Sequence, residues 1–132
     1  MAKVLIVEDS KSQAAIIAEI VRSAGHEPVI CADVTPGMTQ IVRSANPEIV
    51  LLDLVLLGPD GKPRGDGFQI CREVKRLSQN KIKVVVVSAK GDEESAEWAL
   101  MQGADAFLQK PFAVEDLLGV LRQMQDATPP KS

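Results

Sequence analysis

The sequence predicts a doubly wound α/β domain on a five-stranded parallel sheet, and three observations carry that prediction. Short β-branched runs alternate with segments of helical apolar periodicity, five times over. The runs are apolar throughout, as in strands buried on both faces. Right-handed crossovers in such an alternation place helices on both sides of the sheet.

Lys3-Val4-Leu5-Ile6-Val7 is the first such run, and it ends in acidic and polar residues. Ser10 is placed to cap a helix whose stripe is Ile16, Ile17, Ile20 and Val21, with Gly25 as its stop. Pro28 to Cys31 reads as a second strand. Thr35-Pro36 opens a second helix through Met38, Ile41 and Val42, ended before Pro47. Ile49 to Leu54 is the third strand. The Gly/Pro/Asp-rich stretch from Gly58 to Gly67 reads as a loop, and Phe68, Ile70, Cys71, Val74 and Leu77 mark the third helix. Val84 to Val87 is the fourth strand. Asp92 caps a fourth helix that ends at Gly103, Ala106 to Leu108 is the fifth strand, and Val114 to Met124 is the last helix. The domain therefore runs over residues 1–126, with 127–132 as a short frayed tail.

A chain of 132 residues, 45% apolar and 25% charged, has the size and composition of one globular domain. A net charge of −3 and the lack of a long basic run argue against nucleic acid or an anionic membrane surface as the main partner. Cys31 and Cys71 lie in apolar patterns without metal-ligand spacing, so they read as reduced core thiols. The start of the sequence holds no apolar signal-peptide region, and no stretch is long enough to span a bilayer; the expected location is the cytoplasm.

In a doubly wound sheet the ligand site lies at the carboxyl ends of the strands. Glu8-Asp9 follow the first strand, Asp53 ends the third, Ser88 follows the fourth, and Lys110-Pro111 follow the fifth. Each acid alone is more readily a helix cap or a loop charge. Together they make a site. Three carboxylates in one small space repel each other unless a cation is present, and an all-oxygen set suits a hard ion such as Mg²⁺. With a phosphoryl group attached, the cation and the Lys110 ammonium would neutralise its oxygens and the Ser88 hydroxyl would donate to one. Asp53 is then the natural nucleophile. The Lys110-Pro111 bond is of the kind that takes a cis peptide, a turn that would aim the ammonium inward.

Over residues 3 to about 124 the chain resembles the receiver domains of bacterial two-component response regulators. The resemblance rests on Val4-Leu5-Ile6-Val7-Glu8-Asp9-Ser10, Val50-Leu51-Leu52-Asp53, Val87-Ser88-Ala89 and the run from Gly103 to Phe112, in that order and spacing. It implies the flavodoxin-like strand order 2-1-3-4-5. It implies that Asp53 takes a phosphoryl group from a histidine kinase or a histidine phosphotransfer protein. It implies a Mg²⁺ site of Glu8, Asp9, Asp53 and the main-chain carbonyl of Val55, and a phosphate-binding and switch set of Ser88, Ala89, Phe107 and Lys110. With no output domain in the sequence, the expectation is a stand-alone switch that signals by contact with a downstream protein.

Two departures from the family pattern stand out. Leu57 occupies the position four residues after Asp53 where the family usually has proline, with Pro59 two residues on. The family's Asp-Gly before the third helix is either Asp60-Gly61 or Asp66-Gly67, and Phe68 favours the second, which leaves about six extra residues beside the site. This segment reads as a mobile flap over the site or as a tolerated insertion. A phosphohydrolase with Asp53 as covalent nucleophile is the rival enzyme reading, but its usual second acid falls at Val55. A degenerate receiver that only binds proteins is the other rival, though every residue of the active set is present. His26, after a helix-ending glycine, is expected to meet the helix dipole or solvent. Trp98, with Ala96 and Leu100, is either a partner anchor or a packing residue, and Lys62 and Arg64 read as solvated.

Overall fold

The computed structural model describes residues 2–8, 10–31, 37–53, 55–57, 63–79, 81–88, 97, 100–101, 103–110 and 112–126. The apolar runs form β1 (Lys3–Val7), β2 (Glu27–Cys31), β3 (Ile49–Asp53), β6 (Lys83–Ser88) and β7 (Ala106–Gln109), all parallel, in the order β2-β1-β3-β6-β7. This is the expected 2-1-3-4-5 sheet. Two short strands, β4 (Val55–Leu57) and β5 (Pro63–Asp66), pair antiparallel as a separate ribbon between β3 and the next helix.

The helices α1 (Lys11–Ser23), α2 (Met38–Ala45) and α3 (Gly67–Ser78) lie before the C-terminal helix, Val114–Asp126. Ser10 caps α1 as its side chain predicts, its Oγ accepting from the Gln13 N–H at 3.4 Å. Gly25, at a φ of 86°, turns the chain out of α1 through the left-handed region where a side chain is strained. Gly103, at a φ of 97°, does the same after the helical residues Glu97, Leu100 and Met101. Glu115 and Asp116 place acid at the start of the C-terminal helix, where the helix dipole favours it, and Asp116 accepts from the Ala113 N–H at 3.0 Å.

Strand alternation divides the core into two layers. Val4, Ile6, Ile49, Leu51, Val85 and Val87 face α1 and the C-terminal helix, meeting Ile17, Val21, Leu117 and Leu121. Leu5, Val7, Val50, Leu52, Val84 and Val86 face α2 and α3, meeting Met38, Ile70, Cys71 and Val74. Each fully buried aliphatic side chain contributes roughly 1.5–3 kcal/mol, so the parallel sheet is held from both sides. Neither cysteine is in a disulfide, and burial pushes the Cys71 thiol up to about 11. Among the described residues no helix is long and apolar enough to cross a membrane.

Three expectations are corrected. The segment from Gly58 to Gly67 is not all loop: Pro63–Asp66 is a strand of the ribbon, and Gly67 is already helical. Val55-Leu56-Leu57 is β-prone and Pro63 is tolerated at the start of a strand, and the two runs pair antiparallel. Residues 58–62, Lys62 among them, lie outside the described residues. His26 does not face solvent: it is 7% exposed, and its Nδ1 accepts from the Ala2 N–H at 3.1 Å. The last correction concerns α2, which begins at Met38 behind Gly37; Thr35 and Pro36 are outside the described residues.

At the amino end of the sheet a lysine and an aspartate form an internal clasp. The Lys75 ammonium donates to Asp105 Oδ2 at 2.8 Å and to the Ile82 carbonyl at 3.0 Å. Asp105 accepts from the Val84 N–H at 2.8 Å and donates its own N–H back to the Val84 carbonyl at 2.7 Å. The clasp ties α3 to β6 and to the turn before β7.

Candidate phosphoacceptor site

The register of the sheet determines which side chains share its carboxyl end. Val7 lies beside Leu52, Asp53 beside Val87, and Ser88 beside Gln109, so the residues that leave β1, β3, β6 and β7 emerge as neighbours. Glu8, Asp53 and Lys110 meet there. The Lys110 ammonium lies 2.7 Å from Glu8 Oε2 and 3.9 Å from Asp53 Oδ2. The Glu8 side chain is only 4% exposed and that of Asp53 13%, so both carboxylates sit in a site partly withdrawn from water. Low local dielectric strengthens their interaction with any cation.

Lys110 has a second acceptor: its Nζ donates to Gln13 Oε1 at 2.5 Å. Glu8 Oε1 in turn accepts the Ser10 N–H at 3.2 Å, and Ser10 caps the Gln13 N–H. Glu8, Ser10, Gln13 and Lys110 thus form a closed ring of hydrogen bonds at the start of α1. Sequence reasoning missed Gln13. The available signal was Ser10-Lys11-Ser12-Gln13, a capping-box spacing that marks Gln13 as a local helix-start residue and not as a partner of Lys110.

Of the residues expected at the site, the structure brings together Glu8, Asp53 and Lys110. Ser88 closes β6 and Val55 opens β4, two residues beyond Asp53. Phe107 is half-buried in β7, packed against the core layer that faces α2 and α3. Asp9, Ala89 and Pro111 lie outside the described residues, as do Ala96 and Trp98. Among the described residues no three acidic, cysteine or histidine side chains cluster as metal ligands. The two described acids do fit a hard cation, because a single ammonium already lies between their oxygens.

Known proteins similar to this chain share its family and its fold. The response regulator receiver domain matches residues 4–122. Transcriptional regulatory protein YxdJ of Bacillus subtilis is 30% identical over 122 residues, which cover 92% of this chain and 49% of that protein. The DNA-binding response regulator MtrA of Mycobacterium tuberculosis is 30% identical over 120 residues, covering 91% of this chain and 49% of MtrA. The chain spans about half the length of these curated relatives. Among solved structures, NtrX from Brucella abortus superimposes with a TM-score of 0.82 at 29% identity, over 95% of this chain and 27% of that one. Vibrio cholerae chemotaxis protein CheY4 does so with a TM-score of 0.79 at 27% identity, over 94% of this chain and 98% of that one. With the match over nearly its whole length and the sheet order of the fold, the chain belongs to the response regulator receiver domain family.

Proposed function

We propose that Asp53 accepts a phosphoryl group from a phosphohistidine, in a Mg²⁺-dependent reaction, and that the resulting aspartyl phosphate is the signal this domain carries. The observation that carries the reading is the meeting of Glu8, Asp53 and Lys110 at the carboxyl end of the sheet. Glu8 and Asp53, with Asp9 and the Val55 main chain beside them in sequence, would hold the cation. Bound there, Mg²⁺ supplies charge neutralisation and alignment of the phosphoryl oxygens. A carboxylate oxygen of Asp53 attacks phosphorus as the bond to the donor imidazole breaks and the imidazole leaves with the electron pair. Lys110 stabilises the charge on the transferred group.

The domain is then a switch, and the only chemistry it promotes is its own phosphorylation and dephosphorylation. The Ser88 hydroxyl and the Ala89 main chain would follow the phosphoryl group, and Phe107, half-buried in β7, would turn inward with them. Its partners in this reading are a histidine kinase or phosphotransfer protein and a downstream protein. Phosphorylation by acetyl phosphate with Mg²⁺ tests the reading: the wild-type chain should gain a phosphoryl group labile to base and to hydroxylamine, and Asp53→Ala or chelation should abolish it. Undiminished labelling of Asp53→Ala would refute the assignment. Backbone NMR with a beryllofluoride phosphate mimic tests the switch, with shifts expected to reach Phe107 and not to stop at the acids.

A further inference from the structure

Lys110 has three donors and, among the described residues, three oxygen neighbours: Glu8 at 2.7 Å, Gln13 at 2.5 Å and Asp53 at 3.9 Å. The two short contacts lie on the α1 side, and the phosphoacceptor is the one left beyond hydrogen-bond reach. Gln13 would ordinarily return its side chain to the N–H of its own cap residue, as in a capping box. Here that N–H is taken by Glu8 Oε1, so the Gln13 amide oxygen is turned to the ammonium instead. Its backbone is fixed by the Ser10 cap, which makes it a held acceptor and not a wandering surface side chain.

We infer that Gln13 is a positioning residue for Lys110: its amide oxygen holds the ammonium beside Glu8 and away from Asp53. A neutral acceptor is suited to that task. It competes with Asp53 for the ammonium without adding charge that would bind the cation itself or repel a phosphoryl group. The consequence for metal binding rests on the proposed function; the placement of Lys110 does not.

The substitution Gln13→Met removes the acceptor while keeping length and helix propensity at an exposed position. In the metal-free protein the Lys110 side-chain amine is read by ¹H–¹⁵N NMR, assigned with Lys110→Arg. The expected result is a shifted or exchange-broadened amine signal in Gln13→Met; an unmoved signal overturns the inference. In the second measurement, Mg²⁺ affinity is determined by calorimetry for the wild type, Gln13→Met, Lys110→Ala and the double variant. With its amide partner gone the ammonium closes on Asp53, so Mg²⁺ should bind roughly three- to tenfold more weakly to Gln13→Met, and the effect should vanish in the Lys110→Ala background. An equal loss in both backgrounds would show that Gln13 does not act through Lys110. Should the wild type take neither Mg²⁺ nor a phosphoryl group while the amine signal still responds to Gln13→Met, the proposed function fails and the positioning role stands.

Discussion

The two ends of the sheet each hold a lysine–carboxylate pair, and the pairs differ in what else they bind. At the amino end, Lys75 and Asp105 spend their remaining bonds on the main chain, at Ile82 and Val84. At the carboxyl end, Lys110 divides itself between the Glu8 and Gln13 side chains, with Asp53 within 3.9 Å. The main-chain partners of the first pair can leave only if the sheet opens. Those of the second are side chains, which can change partners with the backbone in place. One pair is built to stay and the other to be replaced, although their shortest N···O distances, 2.8 and 2.7 Å, are nearly the same.

Substitutions at the two ends should therefore separate stability from phosphorylation. The largest effect belongs to Asp53→Ala, which should remove phosphorylation entirely and leave the urea unfolding midpoint close to wild type, since Asp53 lies at the end of its strand. A collapse of the fold in that variant would erase the contrast. Asp105→Ala should do the opposite. It leaves the buried Lys75 ammonium and the Val84 N–H without their acceptor, a loss of about 2–3 kcal/mol in unfolding free energy, with phosphorylation by acetyl phosphate retained. If Asp105→Ala blocks phosphorylation while the protein is still folded, the amino-end clasp is more than a fastening.

The smallest effect sharpens the comparison through pH. His26 also serves the amino end, where its Nδ1 must be unprotonated to accept the Ala2 N–H. Burial holds its pKa below the usual 6.5, so the folded state binds fewer protons than the unfolded chain. Its contribution is thus fully present above pH 6.5 and is lost as the pH falls below that value toward the lowered pKa of the folded state. Urea midpoints should drop more steeply between neutral and mildly acidic pH in the wild type than in His26→Gln. Parallel curves for the two proteins would remove His26 from the set of amino-end fastenings.

The sequence by itself determined the alternation of strands and helices, the caps at Ser10 and Gly25, the two-sided burial of the sheet, and the set of polar residues at its carboxyl end. Those properties are local, written in periodicity and in single residues with strong backbone preferences. The tertiary structure alone decided which of these residues touch. Gln13 and Lys110 are 97 positions apart, Lys75 and Asp105 30 apart, and Ala2 and His26 24 apart. Each pairing follows from strand register and from how the helices pack on the sheet, which no local pattern reports. His26 was misread for the same reason: its neighbours in sequence are a helix end and a glycine, whereas its burial comes from the start of β1 beside it. The ribbon of β4 and β5 lies between these cases, because the β-prone run Val55-Leu56-Leu57 is visible in the sequence but its pairing with Pro63–Asp66 is a contact across the chain. Local preference chose the elements, and long-range register chose the partners of their side chains.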